Sequence, residues 1–239
     1  MSLAALFVAG VIVMVGATIQ GAVGLGMNLL AAPFLIMIAP ELVPVPLLVV
    51  GTLHAAMTLV REHRSTDWGG VGWAMIGRAA GTAVGVWAVV WLPQREFSVV
   101  VGVSVLVCVV LSVLSWRPSP TRGALLVAGT AGGVFGTASS IGGPPVALLY
   151  QREKGPKVRA TMGAYFCLGS TLSVLALAVG GQVGTTELVA AAALLPFLLA
   201  GFALSGPLRR VVDAGLLRRA LLGVTAFSAV LLIARSLFW

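Results

Sequence analysis

The chain has 239 residues, of which 59% are hydrophobic and 9% charged, and its mean hydropathy is +1.07. Soluble domains average roughly half apolar and a quarter charged residues, so a soluble globular core is excluded and a polytopic helical membrane protein is indicated. The net charge of +8 does not imply a nucleic-acid partner, because the basic residues scatter over loop ends without a stripe or interleaved aromatics.

In chain order, Leu3–Ile19 is apolar, with no basic residue before it and no small-residue cleavage site after it. It is expected to belong to the mature protein rather than to be a signal peptide. A glycine-rich interruption follows, Gln20-Gly-Ala-Val-Gly-Leu-Gly-Met-Asn28, and Met27–Ala39 resumes the apolar run. The two runs together are too long for one crossing, which predicts a hairpin of two helices meeting at the glycines. Full-length spans are then expected at Glu41–Val60, Trp68–Leu92 and Phe97–Trp116. At about 1.5 Å per residue, each can cross a hydrocarbon layer of about 30 Å. A short loop with two prolines, Trp116–Arg122, leads to a second interruption, Gly136-Thr-Ala-Ser-Ser-Ile-Gly-Gly-Pro144. Further spans are expected at Thr161–Gly180, Leu188–Pro207 and Leu216–Leu237. The connections are too short for a soluble domain, and Cys108 and Cys167 both fall within spans, which argues against a disulfide.

The interruptions lie 116 positions apart, and that shift brings Gly16 onto Gly132, Gln20 onto Gly136 and Gly26 onto Gly142. A shift of about 120 aligns Gly81 with Gly201. The expected fold is therefore all-α, with two pseudo-symmetric repeats, 1–116 and 122–239, in a single membrane domain. Each repeat has a broken helix or hairpin followed by three spans. If both broken segments are hairpins, the repeats are inverted, and Arg61, Arg64, Arg117, Arg122, Arg152, Lys154, Lys157, Arg159, Arg209, Arg210, Arg218 and Arg219 face one side, against Arg95 and Arg235. If each broken segment crosses once, the balance falls to nine against five. The positive-inside rule prefers the inverted arrangement.

Backbone that is not helical at bilayer depth must be buried in protein or line a watery cavity. Paired breaks in two halves are the best sequence pointer to a transporter's substrate site. Glycines at Gly24, Gly26, Gly142 and Gly143 permit unusual backbone and close ligand approach, and Pro144 starts a half-helix. Two half-helix N-termini converging there would offer amide N–H groups to an anion. The bland alternative is close helix packing through small residues. Gln20, Asn28, Thr137, Ser139 and Ser140 flank the breaks and either bind substrate or cap the half-helices. Arg78 lies deep within a span, where a guanidinium suits an oxyanion such as sulfite, a sulfonate or a carboxylate. The alternative is that it reaches the interface. His54 lies mid-span and either serves substrate or a proton, or makes a packing hydrogen bond.

Glu41, Glu62, Asp67, Glu96, Glu153, Glu187 and Asp213 all fall at loops or span ends, so a carboxylate-based cation site or proton relay lacks its parts. No nucleotide loop or metal-ligand cluster is present in the sequence, and neither a cofactor nor enzymatic chemistry is expected.

The motif Gly21-Ala-Val-Gly-Leu-Gly with Pro33, and in the second half Ser140-Ile-Gly-Gly-Pro-Pro-Val followed by Lys157-Val-Arg-Ala-Thr-Met, resembles the sulfite exporter TauE/SafE (TSUP) family over nearly the full length. Asn28 adds a polar group where many relatives have none. The resemblance implies a secondary transporter for a small anion, in a bacterial-type inner membrane, working by alternating access at a fixed site, with a coupling proton as a family expectation. A passive anion channel and a non-transporting membrane subunit are the rival readings. Oligomeric state, direction of transport and the particular anion stay open.

Overall fold

A computed structural model describes residues 3–24, 26–113, 118–211 and 214–238, excluding the side chains of 113, 209–221 and 235–238. Leu25, Arg117 and Asp213 therefore lie outside the described residues, as do the side chains of Arg209, Arg210, Arg218, Arg219 and Arg235. The described residues form ten α-helices and no strand: α1 (Leu3–Val23), α2 (Met27–Ile38), α3 (Val45–Glu62), α4 (Trp68–Trp91), α5 (Gln94–Val113), α6 (Arg122–Ser139), α7 (Pro144–Leu149), α8 (Gly155–Val179), α9 (Thr185–Val211) and α10 (Ala214–Phe238). Six helices among the described residues are long and apolar enough to cross a bilayer. Large apolar side chains such as Phe7, Trp87, Trp91, Leu175, Val179 and Phe227 are exposed on the outside, as a lipid-facing surface requires.

Helices α1, α8, α9 and α10 are longer than the apolar runs. Helix α8 begins at Gly155, six residues before the expected Thr161, because Pro156 starts a helix well and Lys157 and Arg159 need no apolar surroundings in the first turn. Helix α1 runs on through Gln20 and Gly21 to Val23, and α6 includes Gly136, Thr137 and Ser139. Both breaks are thus narrower than the sequence suggests. They are confined to the turn around Gly24 and Gly26 and to Ser140–Gly143.

Contacts between helices fix their directions. His54 of α3 meets Ala17 of α1, and Arg61 meets Gly21, so α1 and α3 run the same way. The intervening α2 must carry the chain back. In the second half Gly132 lies against Tyr165 and Thr137 bonds Ser173, so α6 and α8 are also parallel and α7 returns the chain. Both broken segments are hairpins. Helices α3 and α8, which hold equivalent places in the two halves, are antiparallel: Glu62 pairs with Arg159 at one end, while Val45 and Leu48 cluster with Leu177 at the other. The dominant packings are α4 on α6 and α1 on α9, which exchange if the halves are exchanged. This arrangement is compatible with two inverted repeats. It also places Arg61, Arg64, Arg122, Arg152, Lys154, Lys157 and Arg159 at one end of the bundle and Arg95 at the other.

Helices α4 and α6 meet backbone to backbone. A Cβ added at Gly77 or Gly81 would land on the carbonyl oxygens of Leu126 or Thr130, and one at Gly129 or Gly133 on those of Ala74 or Arg78. This is close small-residue packing of the kind that holds helices together in lipid. It also fixes the depth at which α4 presents Arg78.

Candidate functional site

The two breaks touch. Asn28, in the first turn of α2, donates from Nδ2 to the Ser140 carbonyl at 2.8 Å, and Ser140 Oγ donates to the Pro44 carbonyl at 3.1 Å. Ser140 itself takes φ 63° to end α6, and Gly24 and Gly26 take φ 99° and 133°, conformations strained for residues with a Cβ. Gly143 has an ordinary φ of −80°; it is glycine because a Cβ would strike the Phe166 ring. A Cβ at Gly142 would meet the Gly132 carbonyl and lie 2.8 Å from Arg78 Nη1.

Between the breaks lies a cavity of about 20 Å³. Gln20, Gly26, Asn28 and Gly51 line one wall, and Ser140, Gly142, Gly143 and Pro144 line another. Phe166 and Ser170 of α8 complete it. A volume of this size holds roughly one water. The expected residues Gln20, Gly26, Asn28, Ser140, Gly142, Gly143 and Pro144 are thus brought together.

The others are placed differently. His54 is fully buried, and both its ring nitrogens are engaged: Gln20 Nε2 donates to Nδ1 and Nε2 donates to the Ala17 carbonyl, each at 3.1 Å. It braces Gln20, whose Oε1 in turn accepts the Met27 N–H at 3.0 Å. Thr137 bonds Ser173 at 2.8 Å within the bundle, and Ser139 turns back onto the Phe135 carbonyl. Gly24 packs against the stem of Arg159. The expected cradle of half-helix amides is also thin. Gln20 occupies the Met27 N–H, and Pro144 and Pro145 remove two donors from α7.

The charge comes from Arg78, the eleventh of the 24 residues of α4 and only 1% exposed. At about 1.5 Å per residue it lies about 15 Å from the start of the helix and about 20 Å from its end. Its guanidinium stacks over the Tyr165 ring, 4.8 Å from the centroid, and is bounded by three glycines, Gly136, Gly142 and Gly169. Nε and Nη1 have no hydrogen-bond acceptor, and none of the ion pairs among the described residues involves Arg78. A lysine could relieve such burial by losing a proton, but a guanidinium is a permanent cation. An unpaired buried charge of this kind is destabilising by several kcal/mol, so its presence needs a reason. Gly142, which lines the cavity, lies against this guanidinium.

Sequence reasoning missed Gly51, Phe166 and Ser170 in the cavity wall and Tyr165 beside Arg78. Phe166, Ser170 and Ser173 recur at helical spacing along α8, a signal that could have marked this face.

At the charged end, Arg159 Nε donates to both oxygens of Glu62 at 3.0 and 2.9 Å, and Arg61 donates to the Gly21 carbonyl at 3.2 Å while stacking on Phe202. Asp67 caps α4 through the Gly70 N–H and accepts from the Tyr150 hydroxyl at 2.8 Å. Burial and that carboxylate push the Tyr150 phenol up from its usual range. Arg61 and Arg159 thus lie against Gly21 and Gly24 at the first break. Among the described residues no group of His, Cys, Asp and Glu side chains could hold a metal ion.

A family model described as Sulfite exporter TauE/SafE matches residues 7–232. No curated protein and no solved structure matches the chain.

Proposed function

From the premise that the chain belongs to the sulfite exporter TauE/SafE family, a family of membrane transporters for sulfite and related anions, we propose that it is a secondary carrier for a small oxyanion, bound between the two breaks and neutralised by Arg78. The observation that carries this reading is the permanently charged, unpaired guanidinium behind Gly142, at the wall of a polar cavity that both hairpins share. Gly26, Asn28, Ser140, Gly142 and Gly143 offer the close backbone and amide contacts, while His54 and Gln20 hold the first hairpin in shape.

A carrier is favoured over an open pore by two features. The Glu62–Arg159 pair ties α3 to α8 at the charged end, and the cavity's volume is too small for continuous passage. Transport then follows rocking of one set of helices against the other about a fixed midplane site. The test is counterflow in proteoliposomes holding the purified protein and unlabelled sulfite. Accumulation of labelled sulfite that saturates with concentration supports a carrier. Non-saturating flux without exchange identifies a channel, and no flux at all leaves a subunit role.

The positive end of the bundle is proposed to face the cytoplasm of a bacterial-type inner membrane. Gln182→Cys, in the turn between α8 and α9 at the opposite end, is then expected to react with a membrane-impermeant maleimide on intact cells. Reaction only after lysis would reverse the orientation.

A further inference from the structure

The Tyr165 hydroxyl poses the same question as Arg78. It is fully buried, on α8, and its oxygen has no hydrogen-bond partner. A buried hydroxyl left unpaired is unfavourable, and phenylalanine would fill the same space without that penalty. The hydroxyl lies against Gly132, whose missing Cβ also faces the Gly142 carbonyl, and the ring carries the Arg78 guanidinium on its face. Two side chains with unused donors, Arg78 and Tyr165, therefore converge on the same strip of backbone at Gly142.

The space is arranged to match. The cavity on the other side of Gly142 admits about one water, less than any oxyanion of three or four oxygens requires. Between the cavity and the donors at Gly142 lies backbone: Gly142 faces the Gly132 carbonyl and the Gly136 Cα, with no side chain on any of the three. Such a wall can slide without side-chain repacking.

We propose that Tyr165 is a second anion-binding residue. Displacement of Gly142 joins the cavity to the Arg78–Tyr165 pair, and the ligand is an oxyanion held by guanidinium N–H groups and the phenolic O–H together. This rests on the carrier reading and adds a selectivity to it: two donor groups set apart on different helices favour an anion with oxygens pointing in different directions over a spherical halide. The displaced segment leads directly into α7, so occupancy moves the second hairpin.

The experiment compares wild type with Tyr165→Phe, purified in detergent and reconstituted, using inorganic sulfite and bromide as probes. Tyr165→Phe is expected to weaken sulfite binding about tenfold or more, as loss of a hydrogen bond to a charged group does, while leaving bromide binding unchanged. Its melting temperature without anion is expected to be equal or higher, since an unpaired hydroxyl is removed. That separates a binding role from a structural one. Sulfite affinity equal to wild type in the variant overturns the assignment of Tyr165, and the carrier reading then still stands on wild-type counterflow. Equal weakening for sulfite and bromide overturns the proposed oxyanion selectivity. Absence of sulfite binding and exchange in wild type removes both.

Discussion

Arg78→Gln is expected to lower sulfite affinity by about a hundredfold or more and to reduce counterflow to background, because hydrogen bonds to charged groups contribute about 1.5–3 kcal/mol each and at least two are lost. The same substitution should leave the protein folded. It removes a buried cation that has no counter-charge among the described residues, so the melting temperature without anion is expected to hold or rise. Arg78→Lys keeps the charge but presents a compact ammonium in place of a planar fork, and should retain part of the binding. The measurement is the sulfite-dependent shift in melting temperature alongside exchange in proteoliposomes. If Arg78→Gln exchanges sulfite as wild type does, the charge plays no part in recognition and the proposed site is wrong.

The second large effect concerns the scaffold. Gly81→Val is expected to destroy the fold, seen as loss of the monodisperse peak on size exclusion in mild detergent. A Cβ at Gly81 coincides with the Thr130 carbonyl, and backbone cannot yield as a flexible side chain can. Over-packing in well-filled cores is destabilising by about 1–3 kcal/mol and occasionally more. Here the whole α4–α6 seam would have to part, because Gly77, Gly129 and Gly133 make the same kind of approach. Gly72→Val is the control. It lies on the same helix with nothing within 4 Å of its would-be Cβ, and should behave as wild type. Equal tolerance of both substitutions would mean that the seam does not hold the helices at this separation.

Much of this architecture is written in the chain itself. Apolar runs located the spans, and the recurring glycine breaks located the two hairpins, because interrupted helix inside a bilayer leaves few alternatives. Charge placement chose hairpins over single crossings, and the Glu62–Arg159 contact between the end of α3 and the start of α8 agrees with that choice. Helix ends were less legible. The first turn of α8 is polar and carries no apolar pattern, although proline suits that position. Within the site, the expected residues that touch the cavity are those adjacent to the breaks. Thr137 and His54 are drawn into contacts between helices that no local pattern encodes, while Ser139 makes a local bond back to the Phe135 carbonyl. Tyr165 and Phe166 escaped notice because an aromatic in an apolar span looks like filling, and only the third dimension puts one under Arg78 and the other against Gly143.

Helices α3 and α8 are fastened differently at their two ends. Glu62 with Arg159 forms a charged clasp at one, and Val45, Leu48 and Leu177 form an oily one at the other. Dissolved ions act on the first, weakly because it is largely buried, and leave the second untouched. A carrier hinged this way would not be energetically even-handed between its inward and outward postures. Under the carrier reading proposed above, added salt would shift the preferred side of exposure towards the basic face, by an amount limited by the burial of that clasp.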